Sequence, residues 1–327
     1  MMKTLRTLVA AAGVMALAGP ALAMEKITYL FPAPDFLPSF APQQLAKHKG
    51  YFADEGLEVA FQVGKGGADV AKQVGVGNAE VGGGIGDTPL IVRANGIDVK
   101  GVALLGTKSL TQINIREDAG IEGLEGLKGK SVGVLSYQDT TYYNLLAALA
   151  SVGLTKNDVD IQAVGPSGII QLMISGDIVA MSGVPEWAAA IRGAGVELET
   201  ITINSIFPAM AQAILASDET VAERPEIVQG VVAGITRAIG DIIADPAQAA
   251  KDYVSFVPQH EGKEAEIEAI MRAYIDLVYG EDPAAIGPFD AARMKEVQDF
   301  YVANDLVREA VPVEEAFTNQ FVTQATN

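Results

Sequence analysis

Cysteine is absent from the 327-residue chain, and histidine and tryptophan are scarce, with two residues and one residue respectively. The absence of cysteine excludes disulfide bonds, thiol nucleophiles, cysteine ligands for zinc and a lipid anchor on cysteine. Basic residues are also few, because 23 Lys and Arg stand against 41 Asp and Glu, which gives a net charge of −18. This charge opposes contacts with phosphate groups, so we expect no nucleic-acid partner.

Motifs of metal-dependent and nucleotide-dependent enzymes are missing as well. No His-Glu-x-x-His sequence is present, and this sequence would mark a zinc protease. The glycine run Gly82–Gly86 departs from the dinucleotide-binding pattern because Asp87 occupies the position of the last glycine. A second glycine run, Gly64–Gly67, lacks the Lys-Ser/Thr end of a phosphate loop. We therefore predict that the protein is not an enzyme and uses no cofactor and no metal.

The first 23 residues have the three parts of a secretory signal peptide. Lys3 and Arg6 form a basic start, Leu8–Ala18 is a run of small and apolar residues, and Ala21–Ala23 has the small-x-small pattern of a cleavage site. The apolar run is too short for a typical transmembrane helix, and no second candidate follows it. We expect a mature chain that starts near Met24, reaches the periplasm and does not insert into the membrane.

A strand, a polar elbow and a helix follow one another near the middle of the chain. Ser131–Leu135 has the β-branched pattern of a buried strand, and Ser136–Thr141 forms the elbow. A helix then begins with Asp139, Thr140 or Thr141 as its N-cap. Open α/β sheets bind ligands where strands end and helices begin, so this elbow is a candidate binding segment. The alternative is an ordinary connection between a strand and a helix.

The same alternation of strands and helices extends over most of the chain. It runs from Lys26 to Leu105, begins again at Ser131 and continues to Ile203, and long helices follow from Pro225. This rhythm predicts an α/β protein with mostly parallel sheets and helices on both faces of each sheet.

Five segments resemble the signatures of one family, the type II periplasmic solute-binding proteins of ABC importers. Within that family, they are similar to the group that binds nitrate, sulfonates, taurine and thiamine pyrimidine. In one of them Glu80 stands where the family has aspartate. The segments are Ala46–Val59, Val76–Gly82, Leu124–Val134, Gly153–Val159 and Ile174–Ala180.

The resemblance implies two α/β lobes that are joined by two crossing strands, with a small-molecule ligand held between the lobes. Residues 24–110 and 207–327 would form the first lobe, and residues 111–206 the second. It also implies hinge closure and an ABC import permease in the membrane as the partner. The family often has Gly-Ser at the elbow where this chain has Asp139 and Thr140.

The charges expected near the cleft favour a ligand with hydrogen-bond donors. Four acidic residues fall at candidate positions, and Lys65 is the one basic residue near a pocket-facing elbow. Glu186 beside Trp187 suits a flat ring with an amino group, because the carboxylate accepts N–H bonds and the indole stacks. A role in ligand binding has an alternative for both kinds of residue. Trp187 could instead be part of the core, and the acidic residues could instead stabilise helix N-termini.

We therefore expect a nitrogen-containing heteroaromatic ligand, such as a thiamine-precursor pyrimidine. The alternatives are an alkanesulfonate, taurine or nitrate-type anion, or a secreted enzyme on the same fold. A related eukaryotic family makes the thiamine pyrimidine with its own histidine, and no matching histidine-rich segment is present here. The candidate ligand-binding residues are Asp35, Phe36, Ser39, Gly84, Gly86, Asp87, Thr88, Ser136, Tyr137, Gln138, Thr140, Thr141, Glu186 and Trp187.

Overall fold

The computed structural model describes residues 24–322, so the predicted signal peptide lies outside the described residues. Ten strands form two five-stranded sheets. The strands are β1 (Glu25–Phe31), β2 (Leu57–Val63), β3 (Val81–Ile85), β4 (Val99–Leu104), β5 (Gln112–Arg116), β6 (Ser131–Val134), β7 (Asp160–Ala163), β8 (Ala180–Gly183), β9 (Leu198–Thr202) and β10 (Gln212–Ser217).

Each sheet contains four strands that run in one direction and one strand that runs against them. The first sheet has the order β2-β1-β3-β10-β4, and β10 is antiparallel to both of its neighbours. The second sheet has the order β7-β6-β8-β5-β9, and β5 is the antiparallel strand. The chain crosses between the sheets after β4 and returns after β9, through residues 105–111 and 203–211, which we name the crossing segments. The predicted two-lobed, mostly parallel α/β architecture is confirmed.

Helices cover both sheets, and we name each sheet with its helices the first and the second lobe. Helices α5 to α7 belong to the second lobe, and the long helices after β10 belong to the first. The helices are α1 (Ala41–His48), α2 (Tyr51–Asp54), α3 (Gly67–Gly75), α4 (Thr88–Arg93), α5 (Thr140–Ser151), α6 (Gly165–Ser175), α7 (Pro185–Gly193), α8 (Asp218–Glu223), α9 (Pro225–Ala244), α10 (Pro246–Phe256), α11 (Glu264–Tyr274), α12 (Ala291–Ala303) and α13 (Val313–Ala316).

The glycines of β3 let helix α3 lie directly on the first sheet. A Cβ atom on Gly82 would come within 2.4 Å of the Val70 side chain on α3, so a larger residue would push the helix away. Two more glycines, Gly230 and Gly234 on α9, lie against Leu57 and Phe52 in the same way. The glycine-rich strand therefore positions the N-terminus of α3 close to the end of β3.

Helix α9 is the one described helix that is long and apolar enough to cross a membrane. It has 20 residues, and 56 % of its most apolar window is buried inside the protein. It packs against α1, α2 and α10, which are helices of the first lobe. Its apolar character therefore agrees with a core helix.

Candidate functional site

The two lobes meet directly through their strand-to-helix elbows. The Gly67 N–H, at the start of α3, donates to Asp139 Oδ2 at 3.0 Å, and the Ala68 N–H donates to the Gln138 carbonyl oxygen at 2.9 Å. Ser136 Oγ donates to the Lys65 carbonyl oxygen at 2.7 Å. The elbow after β6, which the sequence singles out, therefore lies against the glycine elbow after β2.

Asp139 is the N-cap of α5, one of the three residues that the sequence proposes for this position. Its Oδ1 accepts the Thr141 N–H at 3.0 Å and the Thr141 hydroxyl at 2.6 Å. The side chain is buried, and burial raises the pKa of its carboxyl group although the hydrogen bonds from Thr141 and Gly67 act in the opposite direction. Both carboxyl oxygens are thus engaged by the protein.

A cavity of about 50 Å³ lies between the lobes beside these elbows. Its wall is mostly apolar and includes three aromatic rings, those of Tyr29, Phe40 and Trp187. Among residues 24–322, no Lys, Arg or His contributes to this wall. The polar side chains at the cavity, apart from the Tyr29 hydroxyl, are Ser39, Gln43, Asp139, Thr141 and Gln212.

Three residues of the wall carry buried polar atoms that find no hydrogen-bond partner within the described part of the chain. They are Gln43 Oε1, Gln212 Oε1 and Trp187 Nε1. The amide nitrogens are engaged elsewhere, because Gln43 Nε2 donates to the Tyr29 hydroxyl at 3.2 Å and Gln212 Nε2 donates to the Ser39 carbonyl oxygen at 3.0 Å. Residues of the wall thus carry two buried acceptors and one buried donor that no protein group within residues 24–322 satisfies.

Two buried carboxyl groups lie outside the cavity and link the lobes. Asp87 Oδ2 accepts from Asn144 Nδ2 at 2.9 Å and from the Tyr301 hydroxyl at 2.7 Å, so it joins the first lobe to α5. Glu186 of α7 accepts a hydrogen bond from the Tyr274 hydroxyl of α11. Burial raises the pKa of both carboxyl groups, against the opposing effect of these hydrogen bonds.

The structure brings four of the fourteen candidate residues to the cavity: Ser39, Gly84, Thr141 and Trp187. The other ten occupy five kinds of place outside its wall. The contact between the lobes contains Ser136, Gln138, Thr88 and Thr140, and the two buried links are Asp87 and Glu186. Gly86 packs against Leu104 and Met210, and Tyr137 is half exposed. The carbonyl oxygens of Asp35 and Phe36 accept hydrogen bonds from other parts of the first lobe.

Glu186 and Trp187 point to different surroundings because neighbouring helical positions are about 100° apart. The sequence suggests that both contact one ligand, whereas the structure directs Trp187 to the cavity and Glu186 to Tyr274. Sequence reasoning also did not name Gln43 and Gln212. Gln212 had a sequence signal, because it is a polar residue in the otherwise apolar run Ala211–Ala216, whereas Gln43 had none, because Gln44 and Lys47 share its helix.

Comparison with known proteins agrees with the fold and assigns the family. The structure superposes on the alkanesulfonate-binding protein SsuA from Xanthomonas axonopodis pv. citri with a TM-score of 0.72 and 19% identity, covering 90% of this chain and 98% of that one. The fold is therefore that of the periplasmic binding proteins. The NMT1/THI5-like family model matches residues 37–249, and the chain belongs to this family.

Curated relatives of the chain include both a binding protein and an enzyme. The riboflavin-binding protein RibY of Chloroflexus aurantiacus is 27% identical over 292 residues, which are 86% of this chain and 82% of that protein. The 4-amino-5-hydroxymethyl-2-methylpyrimidine phosphate synthase of Aspergillus parasiticus is 27% identical over 258 residues, covering 72% of each chain. Family membership alone therefore does not separate binding from catalysis.

Proposed function

We propose that this protein is an extracytoplasmic solute-binding protein that holds a nitrogen-containing heteroaromatic compound between its lobes and delivers it to an ABC import permease. The observation that carries the proposal is the composition of the cavity wall, whose residues supply aromatic rings together with two acceptors and one donor that are buried without a partner in residues 24–322. Buried polar groups without partners are unfavourable, by about 1–3 kcal/mol each, so a ligand that satisfies them gains that much differential stabilisation.

An aminopyrimidine matches this set of atoms. Its exocyclic amino group has two N–H donors, which suit the oxygens of Gln43 and Gln212, and a ring nitrogen accepts from Trp187 Nε1. The aromatic rings of the wall provide stacking surfaces for a flat heterocycle. The flavin of the relative RibY also alternates donors and acceptors along one edge, so it belongs to the same ligand class.

An anionic ligand is less compatible with this wall. No basic side chain of residues 24–322 reaches the cavity, and the one ionisable group on its wall besides the Tyr29 hydroxyl is the Asp139 carboxyl. Anion sites in proteins usually combine helix N-termini with Arg or Lys. The N–H groups at the start of α3 are already used by Asp139 and Gln138. SsuA, the structural neighbour, binds alkanesulfonates. We expect this protein not to bind them, and a binding experiment with an alkanesulfonate tests this.

Catalysis finds little support in the side chains at the cleft. His48 stacks on Phe256 at the surface, and His260 contacts the Phe36 carbonyl oxygen, so neither lines the cavity. The letters Gly-x-Ser-x-Gly do occur at Gly129–Gly133, but Ser131 begins a strand and donates to Asp160 at 2.8 Å. A nucleophilic serine follows a strand instead. No group of His, Asp and Glu in residues 24–322 is arranged to hold a metal ion.

A ring the size of a pyrimidine requires the lobes to separate, because a cavity of about 50 Å³ has room for only a few water molecules. The crossing segments would act as the hinge, and Arg293 of α12 binds both of them. Its guanidinium donates to the Thr107 carbonyl oxygen at 2.9 Å and to the Pro208 carbonyl oxygen at 2.9 Å. A ligand that enters while the lobes are apart and then contacts both of them would favour a closed arrangement with a cavity wider than about 50 Å³.

Titration calorimetry of the chain from Met24 onward tests the proposal. The panel contains 4-amino-5-hydroxymethyl-2-methylpyrimidine, riboflavin and ethanesulfonate. We expect a heterocycle to bind, and we expect Gln43→Leu and Gln212→Leu each to weaken that binding about 3- to 10-fold, since each loses one hydrogen bond to the ligand. Gln62→Leu on the exposed end of β2 is the matched control and should bind as the parent does. Binding of ethanesulfonate alone, or equal affinity in all variants, would contradict the proposal.

A further inference from the structure

The N-termini of two helices from different lobes converge on one carboxyl group. Helix α3 begins at Gly67 in the first lobe, and helix α5 begins at Thr140 in the second. Asp139 accepts the Gly67 N–H through Oδ2 and the Thr141 N–H through Oδ1, both at 3.0 Å. Asp139 is 5 % exposed and is one of the residues that line the cavity.

Such a position is where an anion is normally stabilised. The first N–H groups of a helix have no partner within the helix, and the helix dipole places partial positive charge there. A negative group between two helix N-termini receives hydrogen bonds from both, and here it also touches both lobes. Asp139 makes the contacts that a bound anion would make.

Two glycines on the opposite elbow, Gly66 and Gly67, allow this contact to form because they carry no side chain. A Cβ atom on Gly66 would lie 2.7 Å from the Gln138 carbonyl oxygen, and Gly66 has φ +114. A Cβ atom on Gly67 would lie 2.9 Å from Thr140 Oγ1. The main chains of the two elbows are therefore adjacent, and the space between the two N-termini is filled by the Asp139 side chain.

We propose that Asp139 occupies the anion position between α3 and α5 as a built-in substitute for an anionic ligand, and that it thereby excludes sulfonates and similar anions from the cleft. This inference rests on the proposed function, because it explains why a cleft of this family would accept a neutral or amino-bearing heterocycle. Asp139 is then a residue that determines specificity by repulsion and by occupying donors.

Removing the carboxyl group should open the anion position. In Asp139→Ser, serine still caps α5, while the Gly67 N–H loses its carboxylate partner. Calorimetry with ethanesulfonate and with inorganic sulfate, at low ionic strength, should show at least about 10-fold tighter binding than in the parent chain. Asp139→Asn, which keeps the shape and loses the charge, should show a smaller increase. Asp158→Ser removes a half-buried carboxylate of the second lobe that does not line the cavity, and this variant should bind anions as the parent does.

A folded Asp139→Ser variant whose anion affinity equals that of the parent overturns the inference. If circular dichroism shows that this variant does not fold, Asp139→Asn decides, and an unchanged sulfate affinity then overturns it. Titration of the parent chain with the heterocycles separates this result from the proposed function. A parent that binds no heterocycle overturns the proposed function, and a parent that binds ethanesulfonate tightly with Asp139 in place overturns both.

Discussion

Replacing Trp187 by Phe should change ligand affinity and stability in different ways. Trp187 is 3 % exposed and lines the cavity, and its Nε1–H finds no acceptor in residues 24–322. Phe keeps an aromatic face and removes the donor. If Nε1 donates to the ligand, the loss of one neutral hydrogen bond, worth about 0.5–1.5 kcal/mol, should weaken binding about 3- to 10-fold.

Stability of the Phe variant should stay close to that of the parent. Removing a buried donor without a partner relieves about 1–3 kcal/mol of desolvation penalty. Losing the remainder of the indole costs about 0.8 kcal/mol for each buried methylene equivalent, which offsets most of that gain. Trp187→Ala, in contrast, should lower the free energy of unfolding by about 3–5 kcal/mol, because it leaves a large cavity.

Calorimetry and urea unfolding followed by circular dichroism measure the two quantities separately. Tyr51→Phe is the matched control, since it removes an aromatic donor that bonds to Asp241, and neither residue lines the cavity. It should leave ligand affinity unchanged. A Trp187→Phe variant that binds ligand as tightly as the parent and is destabilised by more than about 2 kcal/mol would refute the reasoning, because Trp187 would then act only in packing.

Three further predictions concern the contact between the lobes. Gly67→Ala brings a Cβ atom within 2.9 Å of Thr140 Oγ1, which pushes the lobes apart. Ligand binding should therefore weaken, and small-angle X-ray scattering should give a larger radius of gyration. Adding Thr140→Ala should reverse both effects. Burial raises the pKa of Glu186 above its ordinary 4.5, so the native form loses stability as the pH rises from that ordinary value through the raised one. The free energy of unfolding of Glu186→Gln, measured by urea unfolding, should therefore exceed that of the parent by an amount that grows as the pH rises from acidic to neutral. A difference that is independent of pH would contradict this. Arg293→Met should speed amide hydrogen exchange in both crossing segments, while unchanged exchange there would show that the arginine does not hold them.

The fold was readable from the sequence because its determinants are local. The segment around Gly50 and Gly56 needs left-handed backbone, with φ of 81 and 76, and buries Phe52 beneath Gly234 of α9. The alternation of apolar residues over Leu57–Val63 predicts strand β2 with the bounds that the structure gives. Helix starts were also legible, since proline marks the first residue of α7, α9 and α10. These features depend on a few neighbouring residues.

The site was only partly readable because it depends on contacts between distant segments. Gln43 and Gln212 come from elements about 170 residues apart in the chain, and only the crossing of the chain between the sheets brings them to one cavity. The acidic residues were expected at the ligand, yet Asp87 and Glu186 bond to tyrosines on α12 and α11. Both tyrosines lie in helices that follow β10, and no local sequence pattern predicts where these helices pack. The candidate residues at the elbows stay predictions.

Direct identification of the bound solute tests the central claim most simply. The full chain would be expressed with export, purified from the periplasm without dialysis against ligands, and measured by native mass spectrometry before and after denaturing release. We predict a released aminopyrimidine, flavin or other nitrogen heterocycle, because residues of the cavity wall carry two unpartnered acceptors, one unpartnered donor and aromatic rings within the described part of the chain. Release of a sulfonate or another anion would contradict this claim, since Asp139 would then fail to exclude the ligands that the helix N-termini attract.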